Sequence, residues 1–316
     1  MERWSGILNI PLRLNSNTCY RVAVSLCISP SSKTLTVPSA NAIFVNGDRV
    51  VGTGDPVIER LSDLQRIAEI LVSKFRGSIN AYVVEASTFK GPFAVYKDFI
   101  PFVNSRGDPK SYSPAGFPAS TSIVSLLSNC LRKVNTLLLD RQEKKNQVGE
   151  PASSLHQPKT IILGFSKGGT VLNQLVTELG LSERTNKGHV DILEDDLIVP
   201  RSKEILLDSI KEIHYVDVGL NSTGAYITDS DVIRQISERL RQGAAGIRFV
   251  LHGTPRQWCD SRRAWIKNEK DKLLQLLKLE AEKIEGKLDV CERFYFADKS
   301  PSLQMHFEII EKLDVS

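Results

Sequence analysis

The feature that most constrains the fold is residues 159–180, KTIILGFSKGGTVLNQLVTELG. Residues 160–163 form a short apolar run rich in β-branched side chains, which is typical of a strand buried on both faces. Apolar residues then recur at helical spacing at Val171, Leu172, Leu175, Val176 and Leu179, and Gly180 is placed to end that helix. Between strand and helix lies a G-x-S-x-G motif at residues 164–168. The segment therefore predicts a nucleophile elbow, in which Ser166 occupies a sharp turn and the helix N-terminus faces the reacting group.

Composition argues against several functional classes. The 41 basic and 37 acidic residues leave a formal charge of only +4 in 316 residues, which is too small to favour nucleic acid as a partner. The five cysteines are scattered and lack C-x-x-C spacing, so we expect neither disulfides nor a zinc site, and a reducing compartment is favoured. No apolar run has the length of a membrane span.

Cofactor and location follow from two further patterns. Gly52 and Gly54 are not followed by a third glycine at dinucleotide spacing, so we expect no dinucleotide-binding fingerprint and no cofactor. The acidic run at residues 194–196 is more typical of a solvated face than of a metal site, so we expect no metal. Residues 1–15 lack a secretory apolar region, and their two arginines keep organelle import open. We expect an intracellular protein, cytoplasmic or mitochondrial, and the sequence leaves the oligomeric state open.

Strand and helix patterns alternate along the chain. This alternation predicts an α/β fold with a doubly wound, mostly parallel sheet and helices on both faces. The predicted helices include 62–75, with Ser62 as its N-cap, and 122–139. We expect a single domain over residues 1–316 with two insertions. One, at 87–120, is aromatic-rich and forms either structural cover or a substrate wall; the other, at 140–158, is polar and mobile.

A serine nucleophile needs a base and a carboxylate that orients it. His306 follows the last predicted strand and is the preferred base, with His252, at the end of an earlier strand, as the alternative. Asp217 ends the segment IHYVD of the strand predicted at 213–218 and is the preferred acid, while Asp260, beyond the next strand, is the alternative. The order serine, acid, histidine along the chain is that expected after an elbow of this kind.

The oxyanion hole is expected to combine two parts of the backbone. One is the N–H group of Lys167, directly after the nucleophile, and the other is the turn at Gly47 and Asp48 after an earlier strand. Gly47 would let the backbone approach the substrate closely. The Lys167 side chain either attracts an anionic substrate or is solvated.

Five segments, AIFVNGD, IILGFSKGG, YVDVGLN, FVLHGT and LQMHF, occur in this order. In the order and the sequence of these five segments, the chain resembles the α/β-hydrolase superfamily. The GFSKG elbow, the NGD turn and the PSLQMHF ending are most similar to a eukaryotic family of hydrolase-like proteins with a mitochondrial vertebrate member. The resemblance implies an α/β-hydrolase-like fold and carries no substrate with it.

These observations predict a serine hydrolase that cleaves an ester, thioester or similar acyl bond through an acyl-enzyme on Ser166. The substrate is expected to be a small acyl-bearing or lipid-like molecule. The alternative is a catalytically inactive binding or regulatory protein on the same scaffold, since fold alone does not decide function.

Overall fold

A computed structural model describes residues 2–13, 18–140, 157–182 and 197–316. The predicted polar insertion at 140–158 falls almost wholly outside these described residues.

An eight-stranded sheet forms the centre of the molecule, in the order β1-β2-β4-β3-β7-β8-β9-β10. Within it β2 runs antiparallel to both of its neighbours, and all other adjacent pairs are parallel. Two short strands, β5 and β6, form a separate hairpin. The strands are β1 (Glu2–Pro11), β2 (Cys19–Ile28), β3 (Ala40–Asn46), β4 (Ile79–Glu85), β5 (Thr88–Lys90), β6 (Phe93–Val95), β7 (Lys159–Phe165), β8 (Ile210–Val216), β9 (Ile247–Gly253) and β10 (Leu288–Phe294).

Helices connect the parallel strands. They are α1 (Pro56–Leu61), α2 (Leu64–Phe75), α3 (Pro118–Leu139), α4 (Gly169–Leu181), α5 (Lys203–Ser209), α6 (Ser230–Arg241), α7 (Pro255–Trp258), α8 (Ala264–Ala281) and α9 (Leu303–Lys312). None of the helices in the described ranges combines the length and the apolar character needed to cross a bilayer.

The sheet is buried on both faces because its strands alternate side chains between two cores. In β3, Ile43 and Val45 join the core that α3, α4, α6 and α8 cover. Ala42 and Phe44 of the same strand join the opposite core, covered by α1, α2 and α9. The predicted fold class is therefore confirmed: the chain has an α/β-hydrolase-like fold, with a mostly parallel sheet between two helical layers.

Two helices begin elsewhere than predicted. The predicted 62–75 helix starts at Leu64, and its N-cap is Asp63 rather than Ser62, because the Asp63 carboxylate accepts a hydrogen bond from Arg66 N at 2.7 Å. The predicted 122–139 helix starts four residues earlier, at Pro118. Its first amides are satisfied by a distant group, the carboxylate of Glu178 on α4.

Some residues of the aromatic-rich segment 87–120 belong to the core, and others are exposed. Tyr96 and Phe99 are buried against the sheet, whereas Phe93 and Phe102 are exposed. Polar contacts bind the segment to the elbow and to α4: Lys167 with Asp108, Asn173 with Tyr112, Gln174 with Ser113 and Glu178 with Ser120. The segment and the elbow helix are thus held together.

Candidate active site

The predicted elbow lies between β7 and α4. Ser166 follows β7 directly and has a φ of 50°, in the left-handed region that non-glycine residues rarely adopt. A side chain at Gly164 would lie 2.8 Å from the Gly169 Cα atom, and one at Gly168 would overlap the Val45 carbonyl oxygen. The two glycines therefore permit the tight crossing of strand and helix that presents Ser166 to the cavity described below.

The carboxyl ends of β8 and β9 position the predicted acid. Asp217 follows β8, and its φ of 43° marks a second strained turn. Its Oδ1 accepts a hydrogen bond from Thr254 N at 2.8 Å, and its Oδ2 accepts one from Thr254 Oγ1 at 3.0 Å. His306, on the first turns of α9, brings its Nδ1 to 2.6 Å from the same Oδ2. The structure thus joins the preferred base to the preferred acid, with the acid oriented by Thr254.

The other ring nitrogen of His306 is bonded to Asp48, not to Ser166. Nε2 lies 2.9 Å from Asp48 Oδ2, and no hydrogen bond joins Ser166 and His306 among the described residues. The second oxygen of Asp48, Oδ1, is buried and lacks a hydrogen-bond partner in the described part of the chain. Asp48 is therefore only half satisfied where it sits, which is costly for a buried carboxylate.

The two carboxylates make His306 a strong base. Burial by itself would lower the pKa of His306, but the hydrogen bonds and negative charges of Asp217 and Asp48 outweigh burial and raise it to about 9. At neutral pH the ring is therefore protonated and donates a hydrogen bond to each carboxylate.

The side chain of neither alternative residue contacts His306 or the Asp217 carboxylate. His252 Nε2 lies 3.0 Å from His214 Nδ1, and its Nδ1 lies 2.9 Å from the Tyr295 hydroxyl. Burial lowers the pKa of His252 well below its ordinary value, as expected of a neutral core histidine. The structure thus keeps the alternative base in a buried network apart from Ser166.

Asp260, the alternative acid, is occupied elsewhere. Its carboxylate pairs with the side chains of Arg262 and Arg263, both at 3.1 Å, and caps the short turn that contains them. The hydrogen bond from Arg262 is the main reason that the pKa of Asp260 is lowered to about 2. Asp260 lines the cavity without bonding to His306.

The turn after β3 lies directly against the elbow. A side chain at Gly47 would overlap the Phe165 carbonyl oxygen and the Lys167 backbone nitrogen. The expected oxyanion elements, Gly47 and Lys167, are therefore brought together. Asp48, expected at the same hole, directs its side chain to His306.

The Lys167 side chain is not solvated, contrary to one of the two expectations. It is 4% exposed, and its ammonium group lies 2.8 Å from Asp108 Oδ1 and 3.2 Å from the Arg106 carbonyl oxygen. Its charge is thus already matched by the 87–120 segment. This contact depends on chain folding over some sixty residues, and no local pattern signals it.

A cavity of about 950 Å³ opens above the elbow. Ser166, Lys167, His306 and Asp48 line its floor, and residues of the 87–120 segment form one wall. Residues that follow β9, including Arg256 and Gln257, also line the cavity. The volume is that of a typical small-molecule site.

The sequence of this chain is similar to those of a protein family and of several vertebrate proteins. A family model described as C2orf69 matches residues 119–281. The mouse protein "Mitochondrial protein C2orf69 homolog" is 26% identical over 162 residues, which cover 51% of this chain and 37% of the mouse protein. The zebrafish homologue is 23% identical over 251 residues, covering 79% of this chain and 64% of its own length. The chain thus spans from about one third to just under two thirds of the curated relatives it matches.

Solved structures with a similar fold include the siderophore hydrolase EstA from Aspergillus nidulans, with a TM-score of 0.48, 14% identity and coverage of 98% of this chain and 95% of that one. An IroE-like serine hydrolase from Shewanella oneidensis has a TM-score of 0.46 and 9% identity, and covers 98% of this chain and 78% of its own. Because the family model matches just over half of the sequence, from α3 to α8, the chain belongs to the C2orf69 family.

Proposed function

We propose that this protein is a serine hydrolase that cleaves an ester, thioester or similar acyl bond through an acyl-enzyme on Ser166. One observation carries the proposal: a serine with left-handed backbone geometry lines the same cavity as a histidine bonded to a buried aspartate. Such strain is usually retained at functional positions, because the surrounding structure must offset its cost. The same three residue types form the catalytic triad of many hydrolases.

In the proposed reaction Ser166 Oγ attacks the acyl carbon while its proton passes to His306 Nε2. The tetrahedral oxyanion accepts hydrogen bonds from Lys167 N–H and from the backbone of the Gly47 turn. His306 then returns the proton to the leaving oxygen or sulfur, and the acyl group remains on Ser166. Water, deprotonated by His306, hydrolyses this ester and restores the free hydroxyl.

Asp48 sets a condition for this reaction. While its carboxylate holds His306 Nε2, that nitrogen has no lone pair free to accept the serine proton. Binding of substrate in the cavity must therefore displace Asp48 from His306, or the pH must be high enough to neutralise the ring. Because Asp48 Oδ1 has no hydrogen-bond partner among the described residues, displacement of this carboxylate breaks only the contact between its Oδ2 and His306.

The second candidate is a binding protein without turnover, and the Asp48 contact favours it. With a carboxylate bonded to each of its ring nitrogens, the protonated His306 cannot accept a proton from Ser166. In that case the cavity would bind its ligand without acylation of Ser166.

Labelling with a fluorophosphonate probe separates the two candidates, because the probe phosphonylates only an activated serine. We expect the wild type to label and Ser166→Ala not to label. Ser261→Ala is the matched control, since Ser261 lines the same cavity but lies in a surface turn. Its labelling should equal that of the wild type.

Absence of labelling over pH 7 to 10, with an active esterase labelled in parallel, would favour the binding protein. Circular dichroism should show that Ser166→Ala is folded, since the loss of one oxygen leaves no sizeable cavity.

The vertebrate relatives are described as mitochondrial proteins, and a mitochondrial location is part of the proposal. Immunofluorescence against a matrix marker, with the native N-terminus retained, tests it.

A further inference from the structure

The cavity has an excess of positive charge that its own acids do not neutralise. Six lysine or arginine residues and three aspartates line it. Each aspartate already has a partner: Asp48 bonds His306, Asp108 pairs with Lys167, and Asp260 pairs with Arg262 and Arg263. The remaining cations are Lys90 and Arg106, which are exposed at the rim, and Arg256, which is half-buried.

Arg256 is the unusual member of this group. It lies on α7, directly after β9, and lines the cavity together with residues of the 87–120 segment. Its guanidinium makes no ion pair with any residue in the described ranges, and its Nε atom is buried without a hydrogen-bond partner there. Burial, and then the nearby charge of Arg263, lower the pKa of Arg256. A desolvated cation without a counter-ion is unfavourable unless something else supplies the negative charge.

Asp48 and Asp217 also act on Arg256, and their charges favour its protonated form. Both carboxylates are already bonded to His306, however, and neither accepts a hydrogen bond from the guanidinium. Arg256 therefore keeps its donors for a group in the cavity, which Ser166 and His306 also line.

We infer that Arg256 binds an oxyanion, a carboxylate or a phosphate, carried by the molecule that occupies this cavity. The planar guanidinium offers two parallel N–H donors that match two oxygens of such a group. The exposed Lys90 and Arg106 add long-range attraction at the mouth. The substrate class is thus an anionic acyl compound rather than a neutral ester. That such a compound is hydrolysed rests on the proposed function, whereas that it binds in the cavity does not.

Calorimetric titration tests the binding, with glutarate and methyl phosphate as separate titrants at low ionic strength. The proteins are Ser166→Ala, which cannot turn over, and the same variant carrying Arg256→Gln, Arg256→Lys or Arg234→Gln. Arg234 is an exposed arginine on α6 paired with Asp231 and Glu238, so its substitution makes the same charge change away from the cavity.

We expect one or both anions to bind, and Arg256→Gln to weaken that binding by about 10-fold or more, as for one lost charge-assisted contact. The affinity of Arg256→Lys should lie between those of the parent and of Arg256→Gln, because lysine keeps the positive charge but lacks the two parallel N–H donors of the guanidinium. Arg234→Gln should bind like its parent. The titrant that responds identifies the carboxylate or the phosphate. If neither anion binds, or if Arg256→Gln binds both as well as Arg234→Gln does, the inference is wrong. Should Arg256→Gln fail to fold, the Lys variant decides alone.

Turnover is tested with two esters of equal chain length, 4-nitrophenyl valerate and mono-4-nitrophenyl glutarate. We expect the wild type to prefer the glutarate, and Arg256→Gln to lose about 10-fold or more in kcat/KM on the glutarate while its rate on valerate is kept. An equal loss on both esters would assign Arg256 to the electrostatics of His306 and overturn the specificity role. Anion binding without hydrolysis of either ester would contradict the proposed hydrolase and leave the anion site standing.

Discussion

Replacing Asp48 with asparagine should convert His306 from a protonated group into a working base at neutral pH. The change removes one of the two negative charges that face the ring while keeping a side chain of the same size. The Asp217 contact, with Nδ1 at 2.6 Å, remains and still orients the imidazole. Asp260→Asn is the matched control, because it removes a cavity carboxylate that does not contact His306.

The magnitude follows from the charge on the ring. A pKa raised from 6.5 to about 9 corresponds to about 3 kcal/mol of preference for the protonated ring, and leaves only about 1% of it neutral at pH 7. One charge-assisted hydrogen bond is worth about 1.5–3 kcal/mol, so its loss should lower the pKa of His306 by about 1 to 2. The neutral fraction at pH 7, and with it the rate of hydrolysis, should then rise by about 10-fold or more.

The raised pKa of His306 should also make the free energy of unfolding decrease as the pH rises. Because the folded-state pKa of His306 lies above its unfolded value, its contribution to the free energy of unfolding is complete below about pH 6.5 and is lost as the pH rises towards 9. Urea unfolding of the wild type should therefore show a loss of up to about 3 kcal/mol across this window. The loss should be smaller in Asp48→Asn and unchanged in Asp260→Asn.

Two measurements read the pKa directly. The first is kcat/KM against pH from 5 to 10 for the three proteins, and the second is the titration of the His306 ring by NMR, which does not depend on turnover. The reasoning is refuted if the ring of the wild type titrates near 6.5, or if Asp48→Asn and wild type titrate together. Loss of activity at every pH in a folded Asp48→Asn would instead give Asp48 a positive role in the reaction.

Two further predictions concern the same site. Asp217→Asn should lower kcat by about 10³-fold or more, because asparagine stabilises the wrong tautomer of His306, whereas Asp260→Asn should lower it little; equal losses would mean that the assigned acid is wrong. Gly47→Ala should lower the free energy of unfolding by about 1–3 kcal/mol or more in a urea titration, since its methyl group would overlap the elbow backbone, and an unchanged midpoint would show that the turn can move aside.

Local patterns were sufficient for the central part of this structure. The strand, the glycines and the helix lie within residues 159–181, and each has a periodic or compositional pattern that can be recognised locally. The position of Asp217 could be predicted because residues at the carboxyl ends of parallel strands meet at one edge of the sheet. His306 was indicated by chain order and by its position after the last strand, and the structure places it beside that aspartate.

The residues that orient and charge the groups of the site had no recognisable local sequence pattern. The sequence showed Asp48 as part of the NGD turn, but the direction of its side chain depends on how β3 and α9 are packed. Asp48 and His306 lie 258 residues apart in sequence. Thr254 orients Asp217 across two neighbouring strands, which a linear reading of the sequence cannot anticipate. The early start of α3 has the same cause, because the group that satisfies its first amides, Glu178, belongs to another helix.

The contacts of the 87–120 segment couple one wall of the cavity to the turn that carries Ser166 and to α4. Asp108 neutralises Lys167, the residue next to Ser166, and Ser120 donates a hydrogen bond to Glu178 on α4. Replacing this segment by one without Asp108 would leave the buried ammonium group of Lys167 without its ion pair. A change of sequence in this wall of the cavity therefore also changes the electrostatic surroundings of the residue beside Ser166.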